Sequence, residues 1–147
     1  MLTNTFTGFR VLSVLICVGA LIHSPVLMAA GTIAASADTV VPMKVGEKLP
    51  KAQVKDADAK LSTLSELTTG KASALILYRG GWCPYCNIHL KKLKEIEAAL
   101  KDMGFQIIAI SPDTPEKLGE TRTEQELTYA VYSDFNMDVA KQLGVAY

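Results

Sequence analysis

The run Ser73 to Tyr78 (SALILY) is uncharged, apolar apart from its ends, and stops at Arg79-Gly80-Gly81. It is too short for a helix, so it predicts a central strand buried on both faces. Pro84 then suits the first turn of a helix, where a missing N–H is harmless. Leu93, Ile96, Leu100 and Met103 recur at spacings of three and four, which predicts one core-facing stripe on a helix running to about Met103. Lys91, Lys92, Glu95 and Lys101 fall largely off that stripe, and Gly104 is the stop signal. Phe105 to Ile110 (FQIIAI) reads as a second buried strand. Strand, long helix and strand make a right-handed crossover between parallel neighbours. This unit commits the chain to an α/β architecture, a central sheet flanked by helices.

The flanking stretches complete that plan. Ala52 to Lys55 reads as a short strand, Asp56-Ala57-Asp58 as a turn, and Leu61 to Leu64 as its hairpin partner. Ser65 to Gly70 predicts about one helical turn. Beyond the crossover, Thr114 followed by Pro115 and Glu116 reads as a helix N-cap, with the helix running to about Glu126. Tyr129 to Tyr132 predicts a strand, and Asn136 to Leu143 a last helix stopped by Gly144.

Met1 to Arg10 ends in a positive charge, Val11 to Ile22 is uncharged and apolar, and small residues follow as far as Ala35-Ser36-Ala37. That layout predicts a secretory signal peptide over residues 1–37, cleaved after Ala37 with Ala30 as second choice, and a domain over 38–147. The rival reading is an uncleaved membrane anchor, since no charge occurs from Val11 to Ala37. Either way the domain is expected outside the cytoplasm, periplasmic or extracellular. Cys17, inside the apolar run, is read as an apolar filler.

Formal net charge is zero, so the surplus of Lys and Arg that draws proteins to nucleic acid or to anionic lipid is lacking. Past residue 37 only two cysteines remain, Cys83 and Cys86. A bridge across so short a loop removes little chain entropy, so redox chemistry explains the pair better than stapling does.

The chemistry rests on Arg79-Gly80-Gly81-Trp82-Cys83-Pro84-Tyr85-Cys86. The cysteines follow a strand and open a helix, whose unpaired N–H groups and partial positive charge favour a thiolate over a thiol. One sulfur attacks and the other resolves the mixed disulfide, so Cys83 and Cys86 cycle between dithiol and disulfide. Arg79, Trp82 and Pro84 are supporting residues: Arg79 as a nearby cation, Trp82 as a shield for the thiols or a packing residue, Pro84 as a helix starter. A zinc site needs two further ligands, and a c-type haem site needs His where Asn87 stands. His89 is read as an exposed polar residue, and Tyr78 and Tyr85 as packing residues. No metal and no cofactor is expected. The rival to catalysis is a soft-metal module using Cys83, Cys86 and His89 to hold copper.

LILYRGGWCPYC (Leu75 to Cys86), FQIIAISPDTPEKL (Phe105 to Leu118) and VYSDFNMDVAKQLGVAY (Val131 to Tyr147) resemble the alkyl hydroperoxide reductase C / thiol-specific antioxidant family, in its peroxiredoxin-like branch. VGEKLP (Val45 to Pro50) is a looser match. The resemblance implies a thioredoxin-like fold with a mixed central sheet. It also implies reduction of peroxides or disulfides at the expense of a thiol donor. The family's Pro-x-x-x-Thr-x-x-Cys pattern puts the peroxide-attacking cysteine on Cys86, the threonine position on Cys83 and the proline position on Arg79. The thioredoxin pattern Trp-Cys-x-x-Cys instead makes Cys83 the nucleophile and Cys86 the resolving thiol. The family pattern also continues past Tyr147, so the last strands and closing helix of the fold are expected to be missing, leaving an unpaired sheet edge. Nothing in the sequence demands an oligomer.

Overall fold

The computed structural model describes residues 33–147. Most of the expected signal segment, with Cys17 and the apolar run, therefore lies outside the described residues. Five strands form one sheet: β1 (Gln53–Lys55), β2 (Leu61–Thr63), β3 (Ala72–Leu77), β4 (Phe105–Ser111) and β5 (Ala130–Ser133). Their spatial order is β2-β1-β5-β4-β3. The last three run parallel, with Ala72 opposite Phe105 through Leu77 opposite Ile110, and Ile108 opposite Ala130. The β1–β2 hairpin joins antiparallel through Lys55 and Ser133, so the sheet is mixed as expected.

Among the described residues the α-helices are α1 (Leu64–Thr68), α2 (Pro84–Asp102), α3 (Pro115–Glu124) and α4 (Asp138–Gln142). They cover both faces of β4, and this is why its sequence is a continuous apolar run rather than an alternating one. Ile107 and Ala109 join Leu90 and Leu93 of α2, Leu118 of α3, Leu127, Tyr129 and Val131 in one core. Ile108 and Ile110 point the other way, to Val54, Leu64 of α1, Val139 of α4 and Leu143. The sheet thus separates two cores that share a single strand.

Helix ends are closed by local chemistry. Thr63 and Glu66 form a reciprocal capping box at α1, with Glu66 N–H to Thr63 Oγ1 at 3.2 Å and Thr63 N–H to Glu66 Oε2 at 2.7 Å. Thr114 caps α3 as its sequence implied. At α4 the buried Asp134 receives the N–H groups of Val139 and Ala140, each at 3.0 Å. The arm leading into β1 runs beside the chain's last residues, through Ala34 N–H to Ala146 O at 2.8 Å and Met43 N–H to Leu143 O at 3.0 Å. Among the described residues no helix is long and apolar enough to cross a membrane.

Two expectations are corrected. β3 is not a fully buried central strand: it pairs only with β4 among the described residues, and its inner residues are half-buried. Its outer side is an unpaired edge of the kind expected. The core-facing stripe of α2 is also rotated from the expected one. Leu90, Leu93 and Glu97 are buried, Leu100 packs against them, and Ile96 and Met103 are exposed.

Glu97 is tolerated inside because its carboxylate is satisfied there. Thr128 Oγ1 donates to Oε2, and Lys101 Nζ lies 2.9 Å from Oε1. Burial pushes the carboxyl up, but the Thr128 and Lys101 hydrogen bonds overcome it and hold Glu97 below the ordinary carboxylate range. A depressed folded value means that this contribution is fully present above the unfolded carboxylate range. It is lost as pH falls through the folded value. Urea titrations at stepped acid pH should therefore show Glu97→Gln losing less stability than the parent chain as pH drops below about 4.

Candidate active site

The parallel strands β3, β4 and β5 all end on the same side, and loops from all three meet there. Tyr78 continues β3 by one hydrogen bond, its N–H donating to Ile110 O at 3.0 Å. The chain then turns through Arg79, Gly80 and Gly81. Cys83 is the N-cap of α2: its N–H reaches Gly80 O at 3.1 Å, and its carbonyl accepts the first helical N–H, from Asn87, at 3.1 Å. Pro84 stands at the start of α2, as expected.

Residues distant in sequence hold this turn. Asp113 Oδ2, from the β4–α3 loop, accepts the Gly81 N–H at 2.8 Å, and Asn87 Nδ2 donates to Gly81 O at 2.8 Å. Asp113 is itself fixed by Ser111 Oγ, which donates to Oδ2 at 3.0 Å, and by Ser133 Oγ, which donates to its carbonyl at 2.5 Å. A Cβ at Gly81 would lie 1.8 Å from Thr121 Oγ1 on α3, so only glycine lets the turn sit this close to that helix. Gly80, at φ +134°, has a conformation that L side chains rarely adopt. Asp113, Asn87, Ser111 and Thr121 went unmarked in the sequence. The Gly-Gly pair signals a close approach, but not which element approaches.

Cys83 and Cys86 are both free thiols. Cys83 is 4% exposed; Cys86 is half-buried and packs against the core that contains Tyr78. Their acidities diverge. The Cys86 thiol donating to Cys83, followed by the backbone N–H of Cys86, pulls Cys83 below the ordinary thiol range. Arg79 and the Tyr85 N–H add smaller pulls in the same direction. Burial and the hydrogen bond to Cys83 push Cys86 up. Backbone N–H groups of the first turn of α2 thus favour the Cys83 thiolate, and the partner sulfur is the larger influence.

The supporting residues divide. The Arg79 guanidinium lies over the Trp82 ring, 4.6 Å from its centroid, so this cation is fixed beside the motif. Trp82 is 65% exposed and is not a core residue. It borders an apolar cavity of about 730 Å³, whose lining reaches the motif through Tyr78 and Arg79 and includes neither sulfur. Tyr85 is exposed, against its reading as a packing residue, whereas Tyr78 is buried. His89 is exposed, and among the described residues no three His, Cys, Asp or Glu side chains are grouped to hold a metal.

Residues 45–147 match the AhpC/TSA family. The chain belongs to that family. Peroxiredoxin Bcp of Escherichia coli K12 is 29% identical over 104 residues, 71% of this chain and 66% of the relative. The chain therefore spans a little under two thirds of the length of the curated relatives it matches. Two solved structures share the fold, each at 22% identity. Peroxidoxin BcpB from Mycobacterium tuberculosis superposes with a TM-score of 0.65 over 69% of this chain and 66% of its own. Reduced Prx3 from Vibrio vulnificus in complex with H2O2 gives 0.67 over 69% and 68%. The thioredoxin-like α/β fold implied by the sequence resemblance is thereby established.

The AhpC/TSA motif turn in this chain hangs on one long-range carboxylate. Asp113→Ala strands the Gly81 N–H and should destabilise the fold by about 1–3 kcal/mol, whereas Asp113→Asn, which keeps an acceptor, should recover most of that loss. Urea unfolding of the three proteins at neutral pH measures both effects.

Proposed function

We propose that the chain is a thiol peroxidase that cycles Cys83 and Cys86 between dithiol and disulfide, with Cys83 as the attacking sulfur and Cys86 as the resolving one. The observation that carries this assignment is the N-cap position of Cys83 at the start of α2, with Cys86 one turn on and packed against the core; the acidities are displaced in the matching directions. A thiolate is the reactive form, and Cys83 is the sulfur that favours it. The family alignment would give the attack to Cys86, but that sulfur is the one held as a thiol.

In the first step the Cys83 thiolate attacks the terminal oxygen of a hydroperoxide. The O–O bond breaks, the alcohol or water leaves with a proton, and Cys83 becomes a sulfenic acid. In the second step Cys86 loses its proton and attacks that sulfur. A disulfide forms and water leaves. A thiol donor of the dithiol class then returns two electrons and two protons, restoring both thiols.

Disulfide exchange with another protein is a second reading. Trp82 and Tyr85, both exposed beside Cys83, favour it because they offer an apolar rim on which a protein chain can dock.

The test is a hydrogen peroxide turnover assay with a dithiol donor, paired with mass spectrometry of a single turnover. Cys83→Ser should fall to the uncatalysed rate. Cys86→Ser should still take up one oxygen on Cys83 but form no intramolecular disulfide. The rate of the first step should rise with pH through a midpoint below the ordinary thiol value. The reverse pattern between the two variants assigns the attack to Cys86, and wild-type rates in both end the proposal. Insulin reduction matching that of a dithiol reductase, with no peroxide turnover, selects the second reading.

We also propose export, from the charge and hydropathy layout of residues 1–37, to the periplasm or the exterior. Cleavage after Ala30 keeps the Ala34 hydrogen bond to Ala146, and cleavage after Ala37 removes it. Intact mass of the protein recovered from the exported fraction should show a chain starting at Gly31 or Asp38. An uncut chain retained in the membrane fraction would establish the anchor instead.

A further inference from the structure

The phenol of Tyr78 is a buried polar group beside the motif that the proposed chemistry has not used. Tyr78 is 9% exposed, and its hydroxyl, fully enclosed, has no hydrogen-bond partner. A buried hydroxyl without a partner is uncommon and calls for an explanation.

The groups that face it can be taken in turn. Tyr129, leading into β5, spends its own hydroxyl on Leu90 O at 2.9 Å. Ser111, at the end of β4, lies close enough to affect the phenol's acidity, but its hydrogen is given to Asp113 Oδ2. That carboxylate oxygen is already filled by Ser111 and by the Gly81 N–H at 2.8 Å. Cys86, from α2, packs against the same core as Tyr78 and acts electrostatically on it. Of these neighbours, Cys86 is the one whose charge changes during the proposed cycle.

We propose that Tyr78 is a positioning residue that holds its O–H in reserve for the thiolate of Cys86 during disulfide closure. The inference rests on the reading of Cys86 as the resolving sulfur. A neutral thiol is a weak acceptor, so the phenol is left unpartnered while Cys86 keeps its proton. When that proton leaves, the sulfur becomes an anion in a half-buried site, and a neighbouring O–H becomes a charge-assisted donor. The electron pair stays on Cys86 and attacks the Cys83 sulfenic sulfur. The departing hydroxide takes up one proton and leaves as water, and Tyr78 keeps its own proton throughout. Burial holds the phenol above its ordinary range, so it remains a donor at neutral pH.

The experiment separates this role from the enzyme's overall activity. In a Cys83→Ser background, the rate of Cys86 alkylation by iodoacetamide is followed against pH, with and without Tyr78→Phe. That measurement needs no peroxide and no turnover, so it stands even if the peroxidase reading fails. Removing the hydroxyl should raise the alkylation midpoint by about one pH unit, a tenfold loss of thiolate at fixed pH. In the otherwise native chain, single-turnover disulfide closure should slow by a similar factor in Tyr78→Phe. An unchanged midpoint in Tyr78→Phe would overturn the proposal.

Discussion

The two hydrogen bonds that grip Gly81 are the constraint from which the rest of this site follows. Gly81 N–H is taken by Asp113 and its carbonyl by Asn87, so one peptide ties the β4–α3 loop to the first turn of α2. The turn could not run this course with a side chain at Gly81, because Thr121 occupies that space. With the turn fixed, Cys83 has to be the N-cap and Cys86 has to lie in the first turn, facing the core. The different surroundings of the two sulfurs are thus set by backbone placement before any side chain contributes.

Placement also explains why the sulfurs differ although they are only three residues apart. The cap position exposes Cys83 to N–H groups that helix geometry leaves without carbonyl partners. The position three residues on points Cys86 toward Tyr78, where burial disfavours an anion. Hydrogen bonding between the two sulfurs amplifies that difference, because a proton held on Cys86 is a donor to Cys83. Arg79 adds to this locally. Its stacking on Trp82 keeps the cation beside the motif without burying it.

What could be read from the sequence was whatever is encoded locally. The run FQIIAI announced β4, and the fold uses both of its faces, Ile107 and Ala109 against α2 and α3, Ile108 and Ile110 against α1 and α4. Thr114 announced the start of α3. The motif announced its own place at a strand-to-helix junction. Periodicity failed on α2, where Ile96 and Met103 fit an apolar stripe but are exposed, while Glu97 is inside. Thr128 and Lys101 make that burial tolerable, and Thr128 is a partner 31 positions away that no helical pattern can show. SALILY was recognised as a strand but not as an edge, because pairing is a property of the sheet. Asp113 and Ser111 escaped notice, and Tyr78 was read only as a packing residue, for the same reason: each acquires its meaning from a neighbour on another element.

The departure from the family's Pro-x-x-x-Thr-x-x-Cys pattern bears directly on the chemistry. Where the pattern has a threonine hydroxyl, this chain has the Cys83 sulfur, and where it has proline, the chain has Arg79. A hydroxyl at that position can only accept or donate a hydrogen bond, whereas a thiolate can also attack. Substitution of one for the other therefore puts a second nucleophile into the turn, and at its more acidic position. On the proposed reading, the cysteine that aligns with the family's attacking residue becomes the partner that closes the disulfide. Such an exchange of duties keeps both sulfurs at the start of α2, three residues apart and close enough to shift one another's acidity. It needs only that the proton stay on Cys86 until Cys83 has reacted, and the packing of Cys86 against the apolar core favours that order.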